Sequence, residues 1–233
     1  MQRKTIISPS LICTDLCNLE REVIRLETLG CEMLHVDLLD GRFSPSMPIG
    51  LDTIRQLKKH TKMVFDTHVM SVANDFFVSE LIDIGVERIC FQLESQPTPG
   101  PLLHRIRNAG IRAGIALAPT TPVSALAYII EQCDFVLLMQ IDPGYASLPG
   151  TDREPYMLRK LEELQELLRR YAPDVTTEVD GRVDFACMPA LMQRGVSVFV
   201  SGTKGIFSPC GTWEKNWEKL QEIIRQNGGG TVG

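Results

Sequence analysis

Short apolar runs rich in Val, Ile and Phe recur eight times along this chain, and longer amphipathic stretches separate them. The runs cover residues 6–12, 33–38, 63–70, 88–93, 113–117, 135–141, 176–179 and 196–201. Several are almost continuously hydrophobic, as strands buried on both faces of a parallel sheet must be. The intervening stretches read as helices over 15–29, 73–84, 102–109, 122–132, 154–171, 184–194 and 212–226. Gly30, Gly85, Gly110 and Gly195 stand where four of them should stop, and Pro122 suits a first helical turn. Strand and helix alternating in this way predict a closed (β/α)8 TIM barrel. The competing doubly wound open sheet would carry a G-x-G-x-x-G turn after its first strand, and this chain has none there.

With 233 residues, 44% of them hydrophobic, the chain can bury a large core. No linker or shift of composition divides it. A single barrel domain is expected over 1–227, followed by a Gly-rich tail at 228–233. The net charge of −5 and the lack of any Arg/Lys-rich run argue against a nucleic-acid partner. The apolar runs are too short and too broken by charge for a membrane span. The N-terminus does not resemble a signal peptide. Seven cysteines without a close C-x-x-C pair read as reduced thiols, so a cytoplasmic location is expected.

In a barrel of this kind, the active face is built from the C-terminal ends of the strands and the loops that follow. His35 and Asp37 end the second strand two residues apart, and period two puts both on one face. His68 ends the third strand and Asp180 follows the seventh. A lone histidine at a strand end is more often a satisfied polar residue than a ligand. Two imidazoles and two carboxylates at matching heights are a different matter, because together they can converge on one divalent cation. The mixed N/O set suits Zn, Fe, Mn or Co alike. His60 and His104, on helices or their ends, read as solvated surface.

Three Gly-containing turns follow late strands: Asp142-Pro143-Gly144-Tyr145-Ala146-Ser147, Asp180-Gly181-Arg182 and Ser201-Gly202-Thr203-Lys204-Gly205. Their backbone N–H groups can cradle a phosphate. Loops after the seventh and eighth strands are the usual place for one, although any strand-to-helix turn draws glycine.

These segments, with Ser8-Pro9-Ser10-Leu11, His35-Val36-Asp37-Leu38-Leu39-Asp40-Gly41, Asp66-Thr67-His68-Val69-Met70 and Pro119-Thr120-Thr121-Pro122, resemble the ribulose-phosphate 3-epimerase family over nearly the whole chain. The resemblance implies a ribulose-phosphate-binding type of barrel and a metal-dependent isomerase that inverts C3 of a ketose phosphate. It implies one divalent ion on His35, Asp37, His68 and Asp180, with Asp37 and Asp180 as the acid/base pair. Substrate contacts would come from Ser10, His68, Met70, Met139, Gly144, Tyr145, Ala146, Ser147, Gly181, Arg182, Gly202 and Thr203. Homo-oligomers are common in the family and are expected here.

The chain departs from the family pattern at Ser46, Gln92, Ala118, Leu148 and Arg182, and none of these is a proposed ligand. They put the sugar in question more than the chemistry, and Asp142-Pro143-Gly144 and Ser10-Leu11-Ile12-Cys13 look closer to the allulose-6-phosphate branch. Two rivals are a non-catalytic sugar-phosphate-binding protein and a lyase on a related phosphate-binding barrel. The orotidine-phosphate decarboxylase group places a lysine in a D-x-K-x-x-D strand, where this chain reads His35-x-Asp37-x-x-Asp40.

Overall fold

A computed structural model describes residues 4–145 and 152–228. Among these residues eight strands form one parallel sheet: β1 (Ile6–Pro9), β2 (Met33–Leu39), β3 (Val64–Met70), β4 (Arg88–Gln92), β5 (Arg112–Leu117), β6 (Phe135–Met139), β7 (Thr176–Asp180) and β8 (Val196–Ser201). Their order is β1-β8-β7-β6-β5-β4-β3-β2. A parallel bridge between Ser10 and His35 joins the two end strands, so the sheet curls into a nearly closed (β/α)8 TIM barrel. The helices are α1 (Leu19–Thr28), α2 (Leu51–Leu57), α3 (Asn74–Ile84), α4 (Pro99–Asn108), α5 (Met157–Tyr171), α6 (Met188–Gln193) and α7 (Trp213–Gln226).

Each strand has two apolar neighbourhoods. Outward residues such as Leu34, Val36, Phe65, Val69, Ile89, Ile115, Val136 and Phe199 pack against the helices in one large core. Inward residues form a smaller core of Cys90, Ala116, Phe135, Leu137, Met139 and Val200. A Cβ on Gly114 would lie 2.5 Å from the Phe135 ring, so glycine on β5 makes room for the largest side chain of that inner layer.

All eight predicted strands form. β1 stops at Pro9, three residues short of the expected end, because the chain turns into a 3-10 helix at Leu11–Cys13. β6 ends at Met139 rather than Ile141. The helix expected over 122–132 is instead two 3-10 segments, Val123–Leu126 and Ile130–Gln132. A 3-10 helix rises about 2.0 Å per residue against 1.5 Å for an α-helix, which returns the chain to the start of β6 in fewer residues.

The helix expected from 15 starts at Leu19, because Asp15 caps a turn, accepting from Cys17 N at 3.0 Å and Asn18 Nδ2 at 2.7 Å. In the same way Asp184 accepts from Cys187 N at 2.7 Å and delays α6 to Met188. The sequence gives little sign of α2: it has no capping side chain and buries only Ile54 and Leu57.

Candidate active site

The register of the sheet assembles the site. The β2–β3 ladder sets Asp37 beside His68, and the β6–β7 ladder sets Met139 beside Asp180. All four predicted ligands come together: one donor atom from each of His35, Asp37, His68 and Asp180 lies within 4.8 Å of the others. Asp37 Oδ1 is 3.3 Å from both His35 Nε2 and His68 Nδ1. Asp37 Oδ2 accepts from Ser10 Oγ at 3.1 Å, so the residue that bridges β1 to β2 also steers the carboxylate. Asp180 Oδ1 accepts from the Gly181 N–H at 2.6 Å.

These donors fit a divalent ion. Both imidazoles are fully buried, and His35 Nε2 has no hydrogen-bond partner although Asp37 Oδ1 lies 3.3 Å away. A buried polar atom without a partner is costly, and a cation there would complete its coordination. Behind it, His35 Nδ1 lies 2.9 Å from Asp66 Oδ2, which places the proton on Nδ1 and the lone pair on Nε2. Gln92 lies 3.0 Å from His68 Nε2. With its amide turned so that Oε1 accepts, it would hold the proton on Nε2 and leave Nδ1 for the ion.

The two aspartates differ electrostatically. In the metal-free protein burial alone would raise Asp37, but a protonated His35 beside it, with His68 close by, holds it well below the usual carboxylate range. Burial, followed by the Asp37 charge, pushes Asp180 up to about 6. One carboxyl is therefore held ionised while its neighbour keeps a proton more readily, the split expected of an acid/base pair.

A cavity of about 410 Å³ opens on this cluster. Of the residues expected to touch substrate, Ser10, Met70, Met139, Gly144, Gly181, Arg182, Gly202 and Thr203 line it, together with Asp37 and Asp180. His68 sits behind Asp37. Tyr145 is partly exposed and is not among the lining residues, and Ala146, Ser147 and Leu148 lie outside the described residues. The cavity also takes in Cys13 and Lys204. Burial pushes the Cys13 thiol up to about 11, so it is no ready nucleophile.

Two glycines are dictated by close approach. Gly144 has φ +83°, and a Cβ there would fall 2.3 Å from that of Ser44, so the loop after β6 rests directly on the loop after β2. At Gly181, φ is +100° and a Cβ would meet Ile141 Cγ1 at 2.7 Å. Arg182 follows with φ +54°, in the left-handed region that glycine favours. Asp40 ties the β2 and β3 loops together: Oδ2 accepts from Ser71 Oγ and Val72 N, and Oδ1 from Arg42 N and Phe43 N.

The sequence departures fall in different places. Ser46 and Arg182 are in the cavity wall, and Gln92 is behind His68. Ala118 is buried; its N–H donates to Glu94 and its carbonyl accepts from Lys160 Nζ.

Comparison with known proteins agrees with this geometry. The sequence model of the Ribulose-phosphate 3 epimerase family matches residues 6–207. The chain is 30% identical to the ribulose-phosphate 3-epimerase of Treponema pallidum (strain Nichols), the match covering 87% of this chain and 92% of that one. It is 33% identical to the Schizosaccharomyces pombe enzyme of the same name, covering 84% and 85%. A cytoplasmic isoform from Oryza sativa is 31% identical, covering 84% and 85%. Among solved structures, a mutant tryptophan synthase alpha-subunit from Pyrococcus furiosus superposes with a TM-score of 0.65 at 15% identity, covering 97% and 100%, a likeness of fold alone.

Proposed function

The chain belongs to the ribulose-phosphate 3-epimerase family and is an isomerase of the epimerase class, and from that premise we propose that Asp37 and Asp180 invert C3 of a ketose phosphate by proton transfer on its two faces. The observation that carries this reading is that both carboxyl groups, one from β2 and one from β7, open on a single cavity while belonging to a single cluster of donors.

A C–H bond beside a carbonyl is a very weak acid. A divalent transition ion held by His35, Asp37, His68 and Asp180 would supply Lewis acidity toward the carbonyl and neighbouring hydroxyl oxygens. The protein's own groups do the rest. Ionised Asp37 removes the C3 proton from one face, and protonated Asp180 returns one to the other. In the reverse direction the roles exchange. Ser10 orients the Asp37 carboxylate through its 3.1 Å hydrogen bond. Leu39, Met70 and Met139 line the cavity and exclude water from the planar intermediate. The phosphate rests against Gly144, Gly181, Gly202 and Thr203, where backbone N–H groups and the Arg182 and Lys204 charges favour an anion. Its binding holds the reacting carbon in register.

The relatives named above act on ribulose phosphate. Ser46 and Arg182 alter the cavity wall, which supports a related ketose phosphate such as allulose 6-phosphate as the substrate of this chain. The cytoplasm is its proposed compartment, supported by the cysteines, all of which are free thiols.

A panel of tetrulose, pentulose and hexulose phosphates incubated in deuterium oxide tests the reading. Deuterium should enter C3 of the true substrate as its epimer accumulates. Tight binding with no exchange in any of them would show a binding protein instead.

A further inference from the structure

One layer below the cluster, the barrel interior holds a charged set that the proton-transfer mechanism does not use. Arg88 on β4 is 4% exposed. Its Nε donates to Asp66 Oδ1 on β3 at 2.7 Å and its Nη2 to Glu178 Oε2 on β7 at 2.6 Å. The guanidinium stacks 3.9 Å from the centre of the Phe135 ring on β6. The other oxygens of both carboxylates turn up toward His35: Asp66 Oδ2 is 2.9 Å and Glu178 Oε1 3.4 Å from Nδ1. His35, Asp66 and Glu178 by themselves have spacing that could hold a second cation. The Arg88 guanidinium supplies the positive charge there instead.

A buried ion pair seldom adds stability over apolar residues of the same volume, whereas its fixed geometry can orient what it touches. From this arrangement we infer that Arg88 is a positioning residue of the metal centre, pinning the Asp66 carboxylate so that His35 keeps its proton on Nδ1 and its Nε2 lone pair on the ion. The guanidinium bridges three strands: it donates to Asp66 on one side and to Glu178 on the other, and its central carbon sits over the Phe135 ring. Without it, Asp66 Oδ1 would lose its 2.7 Å bond to the guanidinium, and the acceptor of His35 would be free to turn. The inference rests on the proposed metal site.

The test measures zinc affinity by competition with a chromogenic chelator, and the His35 ring protons by NMR of 15N-histidine-labelled, zinc-loaded protein. The variants are Arg88→Met and the double variant Arg88→Met/Glu178→Gln, which also removes one of the two carboxylates left without their counter-ion. Both are expected to bind zinc roughly 10- to 100-fold more weakly, the usual cost of losing an outer partner of a ligand. The His35 Nδ1–H signal, slow to exchange in the parent protein, should broaden or vanish. A purely structural Arg88 would lower the melting temperature and move neither readout. A folded double variant with parental zinc affinity and an unchanged His35 signal would overturn the inference. Arg88→Lys retains a buried cation and hence the fold, but cannot bridge both carboxylates; it should fall between, and parental values for both readouts would count equally against the inference. If the parent protein binds no zinc, manganese or cobalt, the metal-site reading itself fails, an outcome distinct from failure of Arg88's role.

Discussion

At the scale of single residues, Asp37 and Asp180 carry the chemistry by being unlike. Asp37→Asn and Asp180→Asn should each lower C3 exchange by at least ~10²-fold, the usual worth of a general acid or base. Elemental analysis of each variant separates loss of the acid/base group from loss of the ion. Near-parental turnover in either, with metal bound, would rule that residue out.

The same residues set how stability depends on pH when metal is absent. Asp180 is raised from 3.8 to about 6 and Glu178 from 4.5 to about 7, so the folded chain holds protons that the unfolded chain has released. Stability of the metal-free protein should therefore fall as pH rises from about 4 to about 7. Asp37 and Asp66 are shifted the opposite way, and their contribution is lost in acid, below the usual carboxylate range. Thermal unfolding of the metal-free protein should show a lower Tm at pH 8 than at pH 5, and Asp180→Asn should flatten the slope. A Tm that climbs over that interval would contradict these shifts.

At the scale of elements, strands and their ends were the legible part of the sequence. Continuous apolar runs announce strands buried on both faces. His35, Asp37, His68 and Asp180 stand out because they interrupt or end such runs at one height. The layer of Asp66, Arg88 and Glu178 could not be read in this way. Arg88 looks like the polar start of a strand, and its partners come from β3 and β7, 22 and 90 residues away, which only closure of the barrel brings together. The stretch over 122–132 has a helical spacing of apolar residues, and the short return to β6 turns it into 3-10 segments.

Two glycine substitutions test this level. Gly114→Ala would press on the Phe135 ring and should cost about 1–3 kcal/mol, as overpacking of a core does, visible as a lower midpoint in urea. Gly144→Ala must displace Ser44 and also occupies a positive φ. It should raise KM for the ketose phosphate more than it lowers the urea midpoint; the reverse pattern would mean that the loop after β6 has no part in binding.

For the whole molecule, the barrel gathers from distant strands a set of buried charges that is unfavourable until a cation joins it. Metal should consequently act as a stabiliser as well as a cofactor. A ligand at about 100 times its Kd adds about 2.7 kcal/mol to the folded state. In a domain of this size each kcal/mol is worth roughly 2–4 °C in Tm. Chelation should remove several degrees and all epimerisation, and Zn, Fe, Mn or Co should restore both. Unchanged activity in a sample shown by elemental analysis to be metal-free would contradict this.

X-ray absorption at the metal edge of zinc-loaded protein examines the centre most directly. Two imidazole nitrogens and carboxylate oxygens at about 2.0–2.2 Å, with no sulfur shell, are expected of His35, Asp37, His68 and Asp180. A sulfur at about 2.3 Å, which would bring in Cys13, or a shell of water oxygens without imidazole, would contradict it.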